Sequence, residues 1–270
     1  MSTSRTPGRS VGNLSVWVTV PTYEESENIE LLVRRVREAV PTAHILVVDD
    51  NSSDGTAEKA EALGAELGGI EVLRRPAKMG LGSAYRAGHA IGIARGYDVM
   101  IQIDADLSHD PADLPRLLAA VERGADLALG SRYAPGGSVP NWPRHRLALS
   151  VAGNRYSAFC LGIGVHDTTA GYRAYRASTL HAIDFDTTHS TGYGFQIEMT
   201  YRVLDAGGEI EEVPIAFTDR VRGNSKMSWR IVAEAMLLVT WWGLRDRGLR
   251  RLGTSRQKFA ARSSPREVRR

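Results

Sequence analysis

The sequence has 270 residues, of which 43% are hydrophobic and 24% charged, as is usual for a soluble globular protein with one large domain or two small ones. A single cysteine, Cys160, excludes an intrachain disulfide and a cysteine-based metal site, and no apolar run approaches the roughly 18 residues that would span a membrane. The formal net charge of +3 is uneven, because residues 245–270 carry ten basic and two acidic residues, a formal +8 that leaves −5 on residues 1–244.

Strand and helix patterns alternate through the first half of the sequence. Short apolar runs predict strands, and longer segments with apolar residues every three or four positions predict helices. Continuous apolar strands separated by helices indicate a doubly wound, mostly parallel α/β sheet with helices on both faces. The predicted strands are 16–20, 44–48, 70–73, 99–103 and 126–129, and the predicted helices are 28–40, 54–67, 80–95 and 111–123.

Polar clusters follow three of these strands, at residues 21–25, 49–55 and 104–109. Because ligands of such sheets bind at the carboxyl ends of the strands, we expect the three clusters to form one site. Neighbouring side chains point to opposite faces of a strand, so only one of Asp49 and Asp50 should face a ligand. The other should brace the loop that follows.

Asp104 and Asp106 are separated by one residue at the end of a predicted buried strand. Each carboxylate there loses hydration and repels the other. A hard divalent cation removes both costs, and Mg²⁺ or Mn²⁺ prefers such oxygen ligands and keeps positions open for substrate phosphates. The pair therefore predicts a site for a metal-bound diphosphate, and the alternative is a solvated turn. Lys78 lies before a glycine-rich helix start, which also attracts phosphate, although it is equally well explained as a solvated loop lysine.

The second half of the sequence is less regular. Loops are predicted over 134–142 and 219–228, and the last helix is either a core helix or an interfacial helix at a membrane. Pro214 predicts that its strand lies at an edge or ends there. We expect residues 1–13 to be flexible and not a secretory signal, and the basic residues 245–270 to be mostly disordered. The other predicted elements are helices 147–161, 193–204 and 229–244 and a strand over 209–217.

Five polar motifs occur along the chain: Pro21-Thr22-Tyr23-Glu24-Glu25, Val47-Val48-Asp49-Asp50-Asn51-Ser52-Ser53-Asp54-Gly55-Thr56, Asp104-Ala105-Asp106-Leu107-Ser108-His109, Gly130-Ser131-Arg132-Tyr133 and Asp219-Arg220-Val221-Arg222-Gly223-Asn224-Ser225-Lys226-Met227. Their order resembles that of family 2 glycosyltransferases, and most closely the dolichol- or polyprenol-phosphate mannosyltransferases. The resemblance covers residues 15–243. It implies a GT-A fold over 14–244 and transfer of mannose from GDP-mannose to a polyprenyl phosphate.

The resemblance also implies a nucleotide-sugar site at the strand ends. In this family, the positions that match Pro21, Tyr23 and Glu25 contact the nucleotide. Of the aspartate pair, Asp50 does so, with the carbonyl region of Val48 beside it. The complete set that we predict for the nucleotide sugar is Pro21, Tyr23, Glu25, Val48, Asp50, Asp104, Ala105, Asp106, Arg132, Arg220 and Lys226.

Several cations are needed to hold a diphosphate and a lipid phosphate together, and arginine suits bidentate phosphate contacts. The resemblance assigns Arg132, Arg220 and Lys226 to the substrate phosphates. Arg146 and Lys78 are further candidates for the acceptor phosphate. The predicted catalytic residues are Asp104, Asp106, Arg132, Arg220 and Lys226, with Asp104 and Asp106 as ligands of Mg²⁺ or Mn²⁺.

No obvious general base emerges from the sequence, and the implied chemistry does not need one. A phosphate monoester is already an anion near neutral pH, so its oxygen needs charge neutralisation and alignment rather than deprotonation. A single in-line displacement would invert the sugar and give a β-linked product. Two alternatives remain open: another donor such as UDP-glucose, and a non-catalytic nucleotide-binding or receiver-like module, since Asp49-Asp50 after a strand also suits a receiver domain.

The expected partners are GDP-mannose and a polyprenyl phosphate at the cytoplasmic face of a membrane. The basic residues 245–270 suit either nucleic acid or an anionic membrane surface, and the lipid acceptor favours the membrane over nucleic acid. We expect peripheral association, with a membrane-protein partner as a further possibility.

Overall fold

The computed structural model describes residues 14–188, 190, 192–219 and 229–250, which form a seven-stranded sheet flanked by helices. The strands are β1 (Val16–Thr22), β2 (His44–Asp49), β3 (Ile70–Arg74), β4 (Val99–Gln102), β5 (Leu127–Ser131), β6 (Arg173–Arg176) and β7 (Ile210–Pro214). The helices are α1 (Ile29–Ala39), α2 (Thr56–Leu67), α3 (Leu81–Ala94), α4 (Leu114–Arg123), α5 (Arg144–Leu161), α6 (Ala177–Ala182), α7 (Gly192–Asp205) and α8 (Trp229–Arg250). The strand order is β3-β2-β1-β4-β6-β5-β7.

Both faces of the sheet are covered by helices, as the sequence predicts. Val16, Val18 and Val20 of β1 point to one face, where they join a core with α1, α2 and α4. Trp17 points to the opposite face and packs in a second core with α3, α6 and α7. This alternation follows from the period of two in a strand, so one apolar run serves two cores.

Helix α3 lies unusually close to β1 because two of its glycines face the strand. A Cβ atom on Gly88 would lie 2.3 Å from the Cγ2 atom of Thr19, and one on Gly92 would lie 2.6 Å from the Cγ atom of Trp17. Glycine costs stability inside a helix, so its presence here is explained by this close approach. The approach brings the start of α3 next to the carboxyl ends of β1 and β4.

Strand β6 and helix α6 were missed by the sequence analysis. β6 runs antiparallel between β4 and β5, whereas the other strands are parallel to one another. Its sequence begins and ends with arginine, and Arg173 is fully buried because the carbonyl groups of Ala170 and Thr168 accept its hydrogen bonds. A buried arginine carries no apolar signal.

The order of seven strands, with β6 reversed, also excludes the receiver-like alternative, whose sheet is parallel with the order 2-1-3-4-5.

Apart from the missed β6 and α6, the C-terminal half differs from the prediction in the boundaries of its elements. Helix α5 begins at Arg144, three residues earlier than predicted, and β7 is an edge strand that ends at Pro214, as that proline indicates. Helix α8 continues to Arg250, so the segment predicted to be disordered starts with six helical residues. Residues 1–13 and 251–270 lie outside the described residues. Of the helices in the described ranges, none is both long and apolar enough to cross a membrane.

Candidate active site

The carboxyl ends of β1 and β2 are joined by Asp49. Its Oδ1 atom accepts hydrogen bonds from the Thr22 hydroxyl at 2.9 Å and the Ser52 hydroxyl at 2.6 Å, and its Oδ2 atom accepts one from the Ser52 amide at 2.9 Å. The prediction that one aspartate of the pair braces the loop is therefore confirmed. Val48 and Ala105, both predicted site positions, are buried and contribute backbone to this edge of the sheet.

Asp50 joins the end of β2 to the loop before α3. Its Oδ1 atom accepts a hydrogen bond from Nε of Arg75 at 2.6 Å, and its Oδ2 atom accepts the amides of Met79 and Gly80 at 3.0 and 3.1 Å. The glycine-rich helix start predicts phosphate at these amides, but in the structure they donate to the Asp50 carboxylate. Asp50 lies at the predicted edge, and its partners are protein groups. Arg75, which is buried, was missed because a single arginine in a loop resembles a solvated one.

Two further predicted residues lie together at this edge. The Nζ atom of Lys78 is 3.9 Å from the centre of the Tyr23 ring, at a distance typical of a cation–π contact. Lys78 was predicted for the acceptor phosphate, but this contact groups it with the residues predicted for the nucleotide. Glu25 follows Tyr23 and accepts a hydrogen bond from the Asn28 side chain at 2.8 Å, while Pro21 pairs with Val48 in the sheet.

The two carboxylates predicted to bind metal are held by different contacts. Asp104 Oδ1 accepts a hydrogen bond from the Tyr85 hydroxyl at 2.7 Å, and Asp106 Oδ1 accepts the Ser108 amide at 3.0 Å across a turn in which Leu107 has a φ of 61°. Burial, and then the charge of Asp104, raise the pKa of Tyr85 well above its ordinary value, so its hydroxyl stays protonated and donates.

The donor atoms at this turn fit a hard divalent cation. Asp104 and Asp106 offer carboxylate oxygens, and the buried Ser108 hydroxyl makes no hydrogen bond within the described part of the chain. The described residues contain no group of three or more histidine, cysteine, aspartate or glutamate side chains able to hold a metal. The remaining ligands would come from water and substrate, which is the arrangement typical of Mg²⁺ with a diphosphate.

Arg132 lies beside the site in a buried ion pair. Its Nε and Nη2 atoms each lie 2.7 Å from a carboxylate oxygen of Asp167, and its amide also donates to Asp167 at 3.0 Å. Burial alone would raise the pKa of Asp167, but the charge and hydrogen bonds of Arg132 outweigh it and hold the pKa below its ordinary value. The sequence predicts that Arg132 binds phosphate but gives no signal for Asp167, whose carboxylate balances the charge of Arg132 within the protein.

Arg146 lies at the start of α5, where its guanidinium stacks 3.9 Å from the Trp142 ring centre and its Nη1 atom contacts Asp219 at 2.8 Å. Asp219 begins the predicted phosphate loop, so this ion pair joins α5 to that loop. Arg220 and Lys226, the two residues of this loop that are predicted to bind phosphate, lie outside the described residues.

The sequence model described as glycosyl transferase family 2 matches residues 17–183. The chain belongs to this family. Polyprenol monophosphomannose synthase of Mycolicibacterium smegmatis is 53% identical over 231 residues, which are 85% of this chain and 87% of that protein. Undecaprenyl-phosphate mannosyltransferase of Micrococcus luteus is 53% identical over 243 residues, 89% of this chain and 100% of that protein.

A solved structure has the same fold. Glucosyl-3-phosphoglycerate synthase from Mycobacterium tuberculosis, determined with Mn²⁺, UDP and glucosyl-3-phosphoglycerate, superposes with a TM-score of 0.59 and 20% identity, covering 91% of this chain and 86% of that one. The predicted GT-A fold is therefore confirmed, and the mostly parallel sheet with polar strand ends is that of a family 2 glycosyltransferase.

Proposed function

We propose that this glycosyltransferase transfers mannose from GDP-mannose to a polyprenyl phosphate, with inversion, giving a β-linked polyprenyl phosphate mannose and GDP. The observation that carries the proposal is the Asp104/Asp106 pair at the end of β4, in a chain 53% identical to two proteins named for polyprenol- or undecaprenyl-phosphate mannosylation. Carboxylates so placed suit a metal-bound nucleoside diphosphate.

The chain's own residues supply binding and alignment rather than proton transfer. Tyr23 offers a ring face to the nucleoside, and Asp104 and Asp106 would hold Mg²⁺ or Mn²⁺. When bound, the metal stabilises the charge of the departing diphosphate. Arg220 and Lys226, in the segment predicted to bind phosphate, provide positive charge for the substrate phosphates, and Arg146 does so for the acceptor phosphate. The anionic oxygen of the acceptor attacks the anomeric carbon without a base.

The donor is tested by calorimetric titration with GDP and UDP in the presence of Mn²⁺, followed by transfer from labelled GDP-mannose to a short polyprenyl phosphate. We expect GDP to bind more tightly and the product to be β-linked by NMR. Higher activity with UDP-glucose would show that UDP-glucose, and not GDP-mannose, is the donor. An α-linked product would contradict inversion. Nucleotide binding without any sugar transfer would instead support the non-catalytic alternative.

A membrane surface is the proposed site of action, because the acceptor carries a long apolar chain. Helices α5 and α8 lie side by side, with the Tyr156 hydroxyl 2.7 Å from that of Thr240. One face of α8 packs in the core through Val239 and Trp242, as the core-helix interpretation predicts. For the other face we propose the interfacial role. Six of the large apolar side chains that remain exposed lie on these two helices: Leu149, Tyr156, Phe159, Leu237, Trp241 and Leu244.

This surface gives a testable prediction. Phe159 and Leu237 are 72% and 73% exposed, so replacing both by serine should leave the fold intact. Each lost apolar side chain removes part of the 1.5–3 kcal/mol that its full burial would contribute, so we expect about tenfold weaker binding to anionic vesicles in a sedimentation assay. The matched control is Leu31→Ser, an exposed leucine on α1. Unchanged binding of the double variant, with loss on deleting residues 251–270, would assign attachment to charge alone.

A further inference from the structure

Asp104 is held from the side of helix α3 by a fully buried tyrosine. The Tyr85 hydroxyl donates to Asp104 Oδ1 at 2.7 Å, a usual length for a hydrogen bond from a hydroxyl to an oxygen. The ring of Tyr85 stacks between those of His89 and Phe195, with ring centres 6.0 and 6.3 Å away. Since α3 is also packed tightly on β1 through its glycines, the hydroxyl has little freedom to move.

The other oxygen of Asp104 faces the backbone of Gly171, just before β6. A Cβ atom on Gly171 would lie 3.2 Å from Asp104 Oδ2, closer than most such contacts, so glycine leaves the room that this carboxylate occupies. The Gly171 carbonyl accepts a hydrogen bond from the buried side-chain amide of Gln102 at 3.1 Å, and the same amide donates to Gln196 at 2.8 Å. Gly171 is therefore fixed by the residue two positions before Asp104.

We propose that Tyr85 is a positioning residue for the metal, because its hydroxyl fixes the Asp104 carboxylate in the orientation that binds the cation beside Asp106. The inference rests on the metal-binding part of the proposed function. The hydroxyl opposes rotation of Asp104 away from Asp106, a rotation that the repulsion between the two carboxylates favours until a cation lies between them. Contacts that orient a metal ligand are typically worth 10- to 100-fold in metal affinity.

The test is Tyr85→Phe, which keeps the ring and removes only the hydroxyl. Mn²⁺ binding in the presence of GDP is followed by the EPR signal of free Mn²⁺. We expect a 10- to 100-fold weaker Mn²⁺ affinity, with GDP binding in EDTA and thermal unfolding close to those of the wild type. Transfer should recover largely at saturating Mn²⁺, because a positioning defect raises the metal concentration required rather than removing the ligand.

The matched control is Tyr175→Phe, which removes the hydroxyl of another fully buried tyrosine in the same core, bonded to Arg173 rather than to a carboxylate. It should leave Mn²⁺ affinity unchanged. Gly171→Ala is the second variant and should weaken Mn²⁺ binding by crowding Asp104 from its other side.

The outcomes separate this inference from the proposed function. If the wild type binds Mn²⁺ and Tyr85→Phe binds it with the same affinity, the positioning role alone is overturned. The same holds if Tyr175→Phe loses as much Mn²⁺ affinity as Tyr85→Phe does. A wild type that binds no Mn²⁺ with GDP would overturn both. A selective loss of Mn²⁺ affinity in Tyr85→Phe would support the role even if the donor sugar proves not to be mannose.

Discussion

Replacing Asp104 by asparagine should lower sugar transfer at least about 1,000-fold. Asparagine keeps the shape of the side chain and still accepts the hydrogen bond from Tyr85, but it removes the charge that binds the metal. A bound metal contributes several kcal/mol of charge stabilisation, and about 4 kcal/mol corresponds to a thousandfold in rate. Initial rates with labelled GDP-mannose measure the effect, and Asp106→Asn should behave in the same way. Treatment with EDTA should abolish transfer, and Mn²⁺ or Mg²⁺ should restore it.

Asp113→Asn is the control for this substitution. Asp113 follows the same polar segment after β4, but it pairs with Arg116 on the surface and not with a residue of the site. We expect less than a twofold change in its rate. Undiminished transfer by either Asp104→Asn or Asp106→Asn, or full activity after complete removal of metal, would show that the pair does not hold a catalytic cation.

Asp167→Asn should lower the free energy of unfolding by about 3–5 kcal/mol, the usual cost of removing one partner of a buried ion pair. Its two carboxylate oxygens balance the charge of Arg132, and both side chains are buried. Asparagine would remove the negative charge that balances this guanidinium in the interior. Urea unfolding measures the loss. Glu66→Ala, which breaks an equally bidentate pair with Arg34 on the surface, is the control and should cost far less, since exposed pairs contribute little.

The same ion pair predicts a dependence on pH. The pKa of Asp167 is lower in the folded protein than in the unfolded chain. At pH values above the unfolded pKa of about 3.9, the ionised carboxylate therefore makes its full contribution to the stability of the fold. This contribution is lost as the pH falls through the lower folded value. Below about pH 4, the free energy of unfolding of the wild type should therefore decrease with falling pH more steeply than that of Asp167→Asn. Parallel pH profiles of the two proteins would contradict the assignment.

The parts of the site that the sequence predicted are those with a local cause. An apolar run that ends in Asp104-Ala105-Asp106 specifies a strand followed by a turn, and both are determined by neighbours along the chain. The brace formed by Asp49 is similar, since Ser52 is three residues away. A motif of this kind can be interpreted without knowing the remainder of the fold.

The parts that were missed depend on partners far away in the sequence. Arg75 pairs with a carboxylate 25 positions earlier, and Asp167 with an arginine 35 positions earlier. Tyr85 reaches Asp104 only because α3 packs against β1. A single sequence describes each of these side chains as an ordinary loop or helix residue, and only the packed sheet shows that it is buried beside a site residue.

The close packing of α3 on β1 has a consequence for how such an enzyme can acquire a new donor sugar. With no room for a side chain at Gly88 or Gly92, the helix and strand cannot shift independently. Redesign of the helix would therefore disturb the carboxylates as well. The loops after β1 and β3, which carry Tyr23 and Lys78, contact each other through these two side chains. Directed evolution of donor choice should accordingly accumulate changes in these loops while the helix stays constant.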